Sequence, residues 1–389
     1  MLVDVIGFGI VIPILPFYVT EFGASPSTVT LLFASFSFFA FVSSPMLGAL
    51  SDRIGRRPVL IVSIMSTAIG WFVFAGARSI PFLFLGRIID GAAAGNFSIA
   101  QSYLVDISED EKERTANLGI IGAIFGVGFM LGPIIGGALA KVSHAFPFWC
   151  AAGLATLNAI AAYFLLPETN VKRKIGSRLS LNPFAPIQRA IRDVELHPLY
   201  ITWIMFAVAN VSTQAVFALF VAKNFGFDAF ATGLTFTAIG IVVAINQTVL
   251  LKRLWLKRFN DAALEKMMLW FLIVGLLLFV TKSIYLFALS VLLNGTGQSV
   301  LRVVLTSQVA GAADPQSKGE KLGILSSFTA ASMVIGPIVA GILFEVHDTL
   351  PYVAAATCLA FGLIIADRYQ RNRALNSDQA IPREAQNTE

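Results

Sequence analysis

Four ionisable side chains stand inside apolar runs, where a charge is expensive: Asp4, Arg87, Asp90 and Arg302. Arg87 and Asp90 are three residues apart, the spacing at which two side chains on one helix meet, so they can pair directly. Desolvation favours the neutral form of a carboxylate and a neighbouring cation favours the charged form. A carboxylate held between these influences takes up or releases a proton when its water access or its partner changes. Asp4, Arg87 and Asp90 are therefore candidate proton-coupling residues, with a fixed structural ion pair as the bland alternative. On a helical wheel with Arg87 at zero, Asp90, Gly91, Ala94, Ser98 and Gln101 fall within about 60° of it, one small and polar face. Further along the chain, Asn210 and Gln214, Asn246 and Gln247, and Asn294 with Gln298 place amides in other apolar runs, Arg302 lying at the edge of the last group. Each amide alone is read most simply as an interhelical hydrogen bond. As a set with Ser98 and Gln101 they are candidate lining for a cavity suited to a semi-polar organic solute. Cys150 and Cys358 are isolated, and His144, His197 and His347 fall in loops or at span ends. With no metal-ligand cluster and no nucleophile motif, neither a metal, a cofactor nor an enzymatic activity is expected.

These groups are positioned by membrane-spanning helices. Hydrophobic residues make up 56% of the chain and charged residues 13%, about half the charge of a soluble domain, and the mean hydropathy is +0.76. Apolar runs near 20 residues long, enough to cross hydrocarbon, recur at 2–20, 29–50, 58–77, 80–105, 115–140, 146–166, 198–222, 230–251, 266–281, 284–307, 321–344 and 351–368. Lipid satisfies no open backbone group, and the runs lack the alternation of a membrane barrel, so helices are expected. Of the 28 Lys and Arg residues, 22 fall after even-numbered runs or in the tail, against Arg78, Lys141, Lys223 and Lys282 in the opposite loops. By the positive-inside rule both termini are cytoplasmic, in a multi-pass protein of the cytoplasmic membrane. The net charge of +5 is thus a topology signal, and no nucleic-acid partner is expected.

The chain repeats itself at an offset of 204: Gly91 falls on Gly295, Leu118-Gly119 on Leu322-Gly323, Gly132-Pro133 on Gly336-Pro337, Gly137 on Gly341 and Pro147 on Pro351. That shift carries one half onto the other in the same membrane orientation, the parallel-repeat pattern of two-bundle secondary transporters. The expectation is an all-α membrane protein of twelve helices: a six-helix bundle at 1–169, a cytoplasmic linker at 170–197, a second bundle at 198–368 and a cytoplasmic tail at 369–389.

Residues 48–60, GALSDRIGRRPVL, closely resemble the signature loop between helices 2 and 3 of the major facilitator superfamily. DVIGFGIVIPILP at 4–16, GRIIDGAAAG at 86–95 and GPIIGG at 132–137 resemble its drug/proton antiporter branch, within it the tetracycline and multidrug exporters. The resemblance spans roughly 4–368 and implies proton-coupled efflux by alternating access. It makes the 48–60 loop a conformational latch, so Gly48, Asp52, Arg53, Gly55, Arg56, Arg57 and Asp106 are candidate gating residues, with topogenic charge alone as the competing account. It names the small residues of span 5, here Gly122, Gly126, Gly132, Pro133, Gly136 and Gly137, an antiporter motif, although close helix packing explains much of the same face. Two departures matter. Asp90 stands where relatives are usually uncharged, and Asp4 lies only three residues from Met1. Either upstream residues are omitted, or Asp4 sits at the water interface and Asp90 carries coupling alone. The expected partners are a small organic solute, protons and the lipid bilayer, acting on a monomer. A transporter of one metabolite or organic anion, and a non-transporting membrane receptor, are the alternatives.

Overall fold

The computed structural model describes residues 1–170, 184–312 and 317–380, leaving aside side chains at 195, at 372–380 and at several positions of 111–123. Its helices are α1 (Leu2–Val11), α2 (Leu15–Thr20), α3 (Pro26–Ile54), α4 (Arg56–Ala75), α5 (Ile80–Ala92), α6 (Asn96–Asp106), α7 (Glu111–Ala140) and α8 (Phe146–Leu165) in the first half. The second half has α9 (Ala185–Arg192), α10 (His197–Phe225), α11 (Ala229–Ile245), a π-helical stretch Asn246–Trp255, α12 (Leu256–Arg258), α13 (Asp261–Val280), α14 (Ile284–Ala312), α15 (Lys318–Val346) and α16 (Leu350–Ala380). Among the described residues, nine helical segments are long and apolar enough to cross a membrane. The other three of the twelve crossings are α1 with α2, α5 with α6, and α7, whose apolar part is Ile124–Ala140.

Three expected continuous spans are interrupted. Pro13 has no N–H to donate, so the first span turns at residues 12–14 and restarts with Pro16 in the first turn of α2. The fourth span opens at 93–95, and its helical ladder resumes from Gly95. The eighth passes into the π-helix, and within it Trp255 Nε1 donates to Asn246 Oδ1 at 2.9 Å. Of the expected linker, residues 171–183 lie outside the described residues, as do 381–389 of the expected tail. The described part of the linker carries α9, where Arg189 pairs with Glu320 at 3.0 Å and Asp193 pairs with Lys321.

By contacts the chain forms two compact units. One comprises the described residues of Met1–Pro183 with Val211–Ala244 and Met333–Pro351. Its core is aromatic, with Tyr18, Trp71, Phe74 and Phe148 buried together and Tyr18 Oη donating to the Ala75 carbonyl at 2.9 Å. α1 and α7 cross without intervening side chains: a Cβ on Gly9 would lie 2.8 Å from Gly128 O, and one on Gly132 would lie 2.6 Å from Gly9 Cα. Gly136 lies against Ile10, and Gly137 turns to α11, where a Cβ would lie 2.9 Å from Phe230 Cα. The close-approach face of α7 is thus Gly128, Gly132 and Gly136. Gly126, expected on that face, has nothing within 4 Å of its Cβ position, because its angular placement turns it away from α1. Gly122 falls where side chains are not described. The second-half counterpart of Gly132 makes the corresponding crossing: a Cβ on Gly336 would meet Ser212 Oγ at 3.1 Å, and Ser212 Oγ donates to Gly336 O at 3.1 Å.

The other unit comprises Phe184–Asn210, the described residues of Ile245–Ser332 and those of Tyr352–Glu389. Here α13 and α14 pack tightly, a Cβ on Gly297 meeting Leu272 Cγ at 2.8 Å, with Ser290 Oγ donating to Gly275 O at 2.6 Å. Trp203 Nε1 ties α10 to the Leu325 carbonyl and Thr329 Oγ1 of α15, both at 3.1 Å.

Candidate functional site

The junction between α3 and α4 is a built site. Gly55 ends one helix and begins the next at φ 116°, a backbone that side chains rarely adopt. Its Cβ position is also occupied by the Glu168 carboxylate. Arg56 bridges two acids, with Nη1 2.5 Å from Asp52 Oδ1 and Nε 2.9 Å from Asp106 Oδ2, and it donates to Ser51 Oγ at 2.7 Å. Arg57 Nη2 donates to the Tyr163 carbonyl at 2.5 Å. Asp52, Arg56 and Asp106 are therefore brought together; Arg53 occupies the last turn of α3, and Gly48 accepts from Ser51 Oγ at 2.6 Å through its carbonyl.

Sequence reasoning missed the segment that stitches this junction. Glu168 accepts from the backbone N–H of Arg56 at 2.8 Å and of Arg57 at 3.2 Å, a carboxylate on the first turn of α4, where orphan N–H groups and the helix dipole both favour negative charge. Burial pushes its carboxyl up, but the donors of Asn170, Arg56, Arg57 and Thr169 outweigh that and hold it below the ordinary carboxylate range. Asn170 Nδ2 donates to the Asp52 carbonyl at 2.9 Å, covering the end of α3. The available signal was an acid placed just after a span, 112 residues from the loop it caps.

The second constellation is the buried pair. Gly86 and Gly91 let α5 wedge between α4 and α3: a Cβ on Gly86 would lie 2.7 Å from Gly70 O, and one on Gly91 would lie 2.7 Å from Phe36 O. This seals Arg87 and Asp90 at 2% and 5% exposure, with Nη1 3.1 Å from Oδ2. The guanidinium also lies over the rings of Phe36 at 4.2 Å and Trp71 at 4.9 Å, a desolvated cation–π cradle. The break at 93–95 begins three residues beyond Asp90. Hydroxyls from neighbouring helices satisfy carbonyls freed there, Ser66 donating to Ile89 O at 2.5 Å and Ser43 to Gly91 O at 2.8 Å. The expected wheel does not survive this break: Arg87 and Asp90 are sealed, whereas Ser98 follows it and bonds Ser44 Oγ at 3.1 Å, and Gln101 lies half-buried on α6. Asp4 stays apart from the pair, accepting from Asn158 Nδ2 at 3.1 Å.

In the second half the amides do not form one lining. Asn210 Nδ2 donates to Gln298 Oε1 at 2.7 Å, joining α10 to α14. Asn294 instead turns to α13, its Nδ2 donating to Ser290 O at 3.0 Å, because Gly275 leaves room for it there. Asn246 is buried and donates to Thr296 Oγ1 at 3.2 Å while receiving Trp255. Gln214, Gln247 and Arg302 are exposed.

A family model described as "Major Facilitator Superfamily" matches residues 1–264 and 255–387. The chain belongs to the Major Facilitator Superfamily. Membership makes it a multi-pass membrane transporter and not an enzyme. Among curated relatives it is 30% identical to the tetracycline resistance protein, class C, of Escherichia coli over 86% of this chain and 85% of that one. It is 28% identical to the quinolone resistance protein NorA of Staphylococcus aureus (strain MSSA476), covering 96% and 95%. Among solved structures, the peptide transporter POT superposes with a TM-score of 0.79 over 95% of this chain and 92% of that one at 14% identity, a likeness of fold alone.

Proposed function

We propose that this major facilitator protein exports drug-like amphiphilic solutes in exchange for protons, as a monomer in the cytoplasmic membrane with both termini inside. Two six-helix bundles, 1–169 and 198–368, alternate access, and the Asp52–Arg56–Asp106 junction biases that equilibrium. The observation that carries the reading is the buried Arg87–Asp90 pair beside a broken span. A charge pair sealed from water is costly to keep and costly to break, so removing one partner leaves the other uncompensated. Protonation of Asp90 and a change in its partner are therefore energetically linked, which is what coupling requires. Asp4, which accepts from Asn158 Nδ2 at 3.1 Å and lies 3.2 Å from the Met1 ammonium, is the second candidate. Relatives named for tetracycline and quinolone resistance support an exported drug-like solute.

The test compares Asp90→Asn and Asp4→Asn with the unmodified protein in proteoliposomes, reading solute-driven proton release and, separately, counterflow, which needs no net proton movement. Loss of proton release in Asp90→Asn with counterflow retained is the expected result. Full gradient-driven transport in both variants would make the pair structural.

A further inference from the structure

We propose that Arg302 receives an anionic group, a carboxylate or its like, on the transported solute. The proposal rests on the export reading above and adds the substrate class. Arg302 lies 18 residues from the start of α14 at Ile284 and 10 from its end at Ala312, about 27 Å and about 15 Å along the axis. A guanidinium at such a place must meet water, a partner or a ligand. Arg87 has Asp90 and two rings; Lys266 has Asp367 at 2.5 Å. Arg302 is exposed and makes no side-chain hydrogen bond and no ion pair among the described residues.

The surroundings of α14 say where it points. Gly297 and Ser290 face α13, Gln298 faces α10 through Asn210, and Thr296 faces the π-helical stretch through Asn246. At about 100° per residue, Arg302 lies about 40° from Gln298, and Thr296 about 160° from it in the same sense. Arg302 therefore lies on the part of the α14 surface between the residue that meets α10 and the residue that meets the π-helical stretch. It is about 100° away from the exposed apolar residues Tyr285, Leu289 and Leu292, which lie toward the other end of α14. One turn before it, Gln298 spends its carbonyl oxygen on Asn210, and its amide N–H groups donate to nothing among the described residues. A planar guanidinium fork with an amide donor beside it, and no acid paired to it among the described residues, fits a carboxylate in two-point contact and offers a cation nothing. Arg87 cannot share this task because it is sealed at 2% exposure.

The experiment uses the full chain in vesicles of zwitterionic lipid and a matched dye pair: rhodamine 110, which has a free carboxylate, and rhodamine 123, its methyl ester. Dissociation constants and initial transport rates are read for the unmodified protein, Arg302→Gln and Arg302→Lys. Arg302→Gln should weaken the acid about tenfold or more, the range of a charge-assisted contact, and leave the ester nearly unchanged. Arg302→Lys should recover part of the loss, and equal unfolding temperatures would show that the Gln variant is folded. Equal losses for both dyes, or no loss for the acid, would overturn the proposal, while export of either dye by the unmodified protein would keep the export reading. A deficit that appears only when anionic lipid is added would assign Arg302 to phosphate headgroups and also overturn it. Failure of the unmodified protein to move either dye would instead overturn the export reading beneath it.

Discussion

Replacing Glu168 with Gln removes a charge from the first turn of α4 at almost constant shape. In the native junction its two oxygens take the N–H groups of Arg56 and Arg57 at 2.8 and 3.2 Å. A hydrogen bond to a charged group contributes about 1.5–3 kcal/mol. Because Glu168 is half-exposed and Gln keeps one acceptor, the low end applies, about 1–2 kcal/mol, a factor of about 5–30 in the opening equilibrium. Amide hydrogen exchange at Arg56 and Arg57 should accelerate by that factor near neutral pH. The carboxyl is held below its ordinary value in the folded protein, so its contribution is complete above the unfolded carboxylate value of about 4.3 and is lost as pH falls through the lower folded value. Protection should therefore decline below about pH 4 in the native protein, whereas Glu168→Gln should be flat across that window. Unchanged protection, or the same acid response in both proteins, would refute the capping role.

Gly132→Val should destabilise the protein by about 1–3 kcal/mol or abolish folding, since a Cβ there would lie 2.6 Å from Gly9 Cα, while Gly126→Ala, with open space at its Cβ position, should be neutral or stabilising by thermal unfolding in detergent. Arg56→Gln should slow transport more than Arg57→Gln with dye binding retained in both, because Arg56 holds both Asp52 and Asp106 whereas Arg57 Nη2 donates to a carbonyl. Reporters fused to the C-terminus should be active only when the reporter works in the cytoplasm.

Hydrophobic run length made the twelve crossings legible, because lipid leaves a chain few alternatives to helix. The repeat at 204 marked Gly132 and Gly336, and both prove to be close-crossing points. The Arg87–Asp90 pair was legible from spacing alone. What failed was the assumption that a wheel runs unbroken through a span. Local ladders stop at Pro13 and at 93–95, so residues on either side of a break no longer share a face. The amides misled for a related reason: Asn294 and Asn246 have room and partners set by Gly275, Thr296 and Trp255 on other segments, which no local period encodes. Glu168 showed in the sequence only as an acid just after a span, and its role with Asn170 was not legible, because a cap supplied across more than 100 positions leaves no local pattern.

Proteoliposomes holding the purified protein and an acidic lumen test proton exchange most directly. Rhodamine 110 or 123 added outside should accumulate against its gradient, stop when nigericin collapses the pH difference, and fail to accumulate in empty vesicles or with Asp90→Asn. Accumulation by the unmodified protein that is indifferent to the pH difference would contradict proton-coupled export.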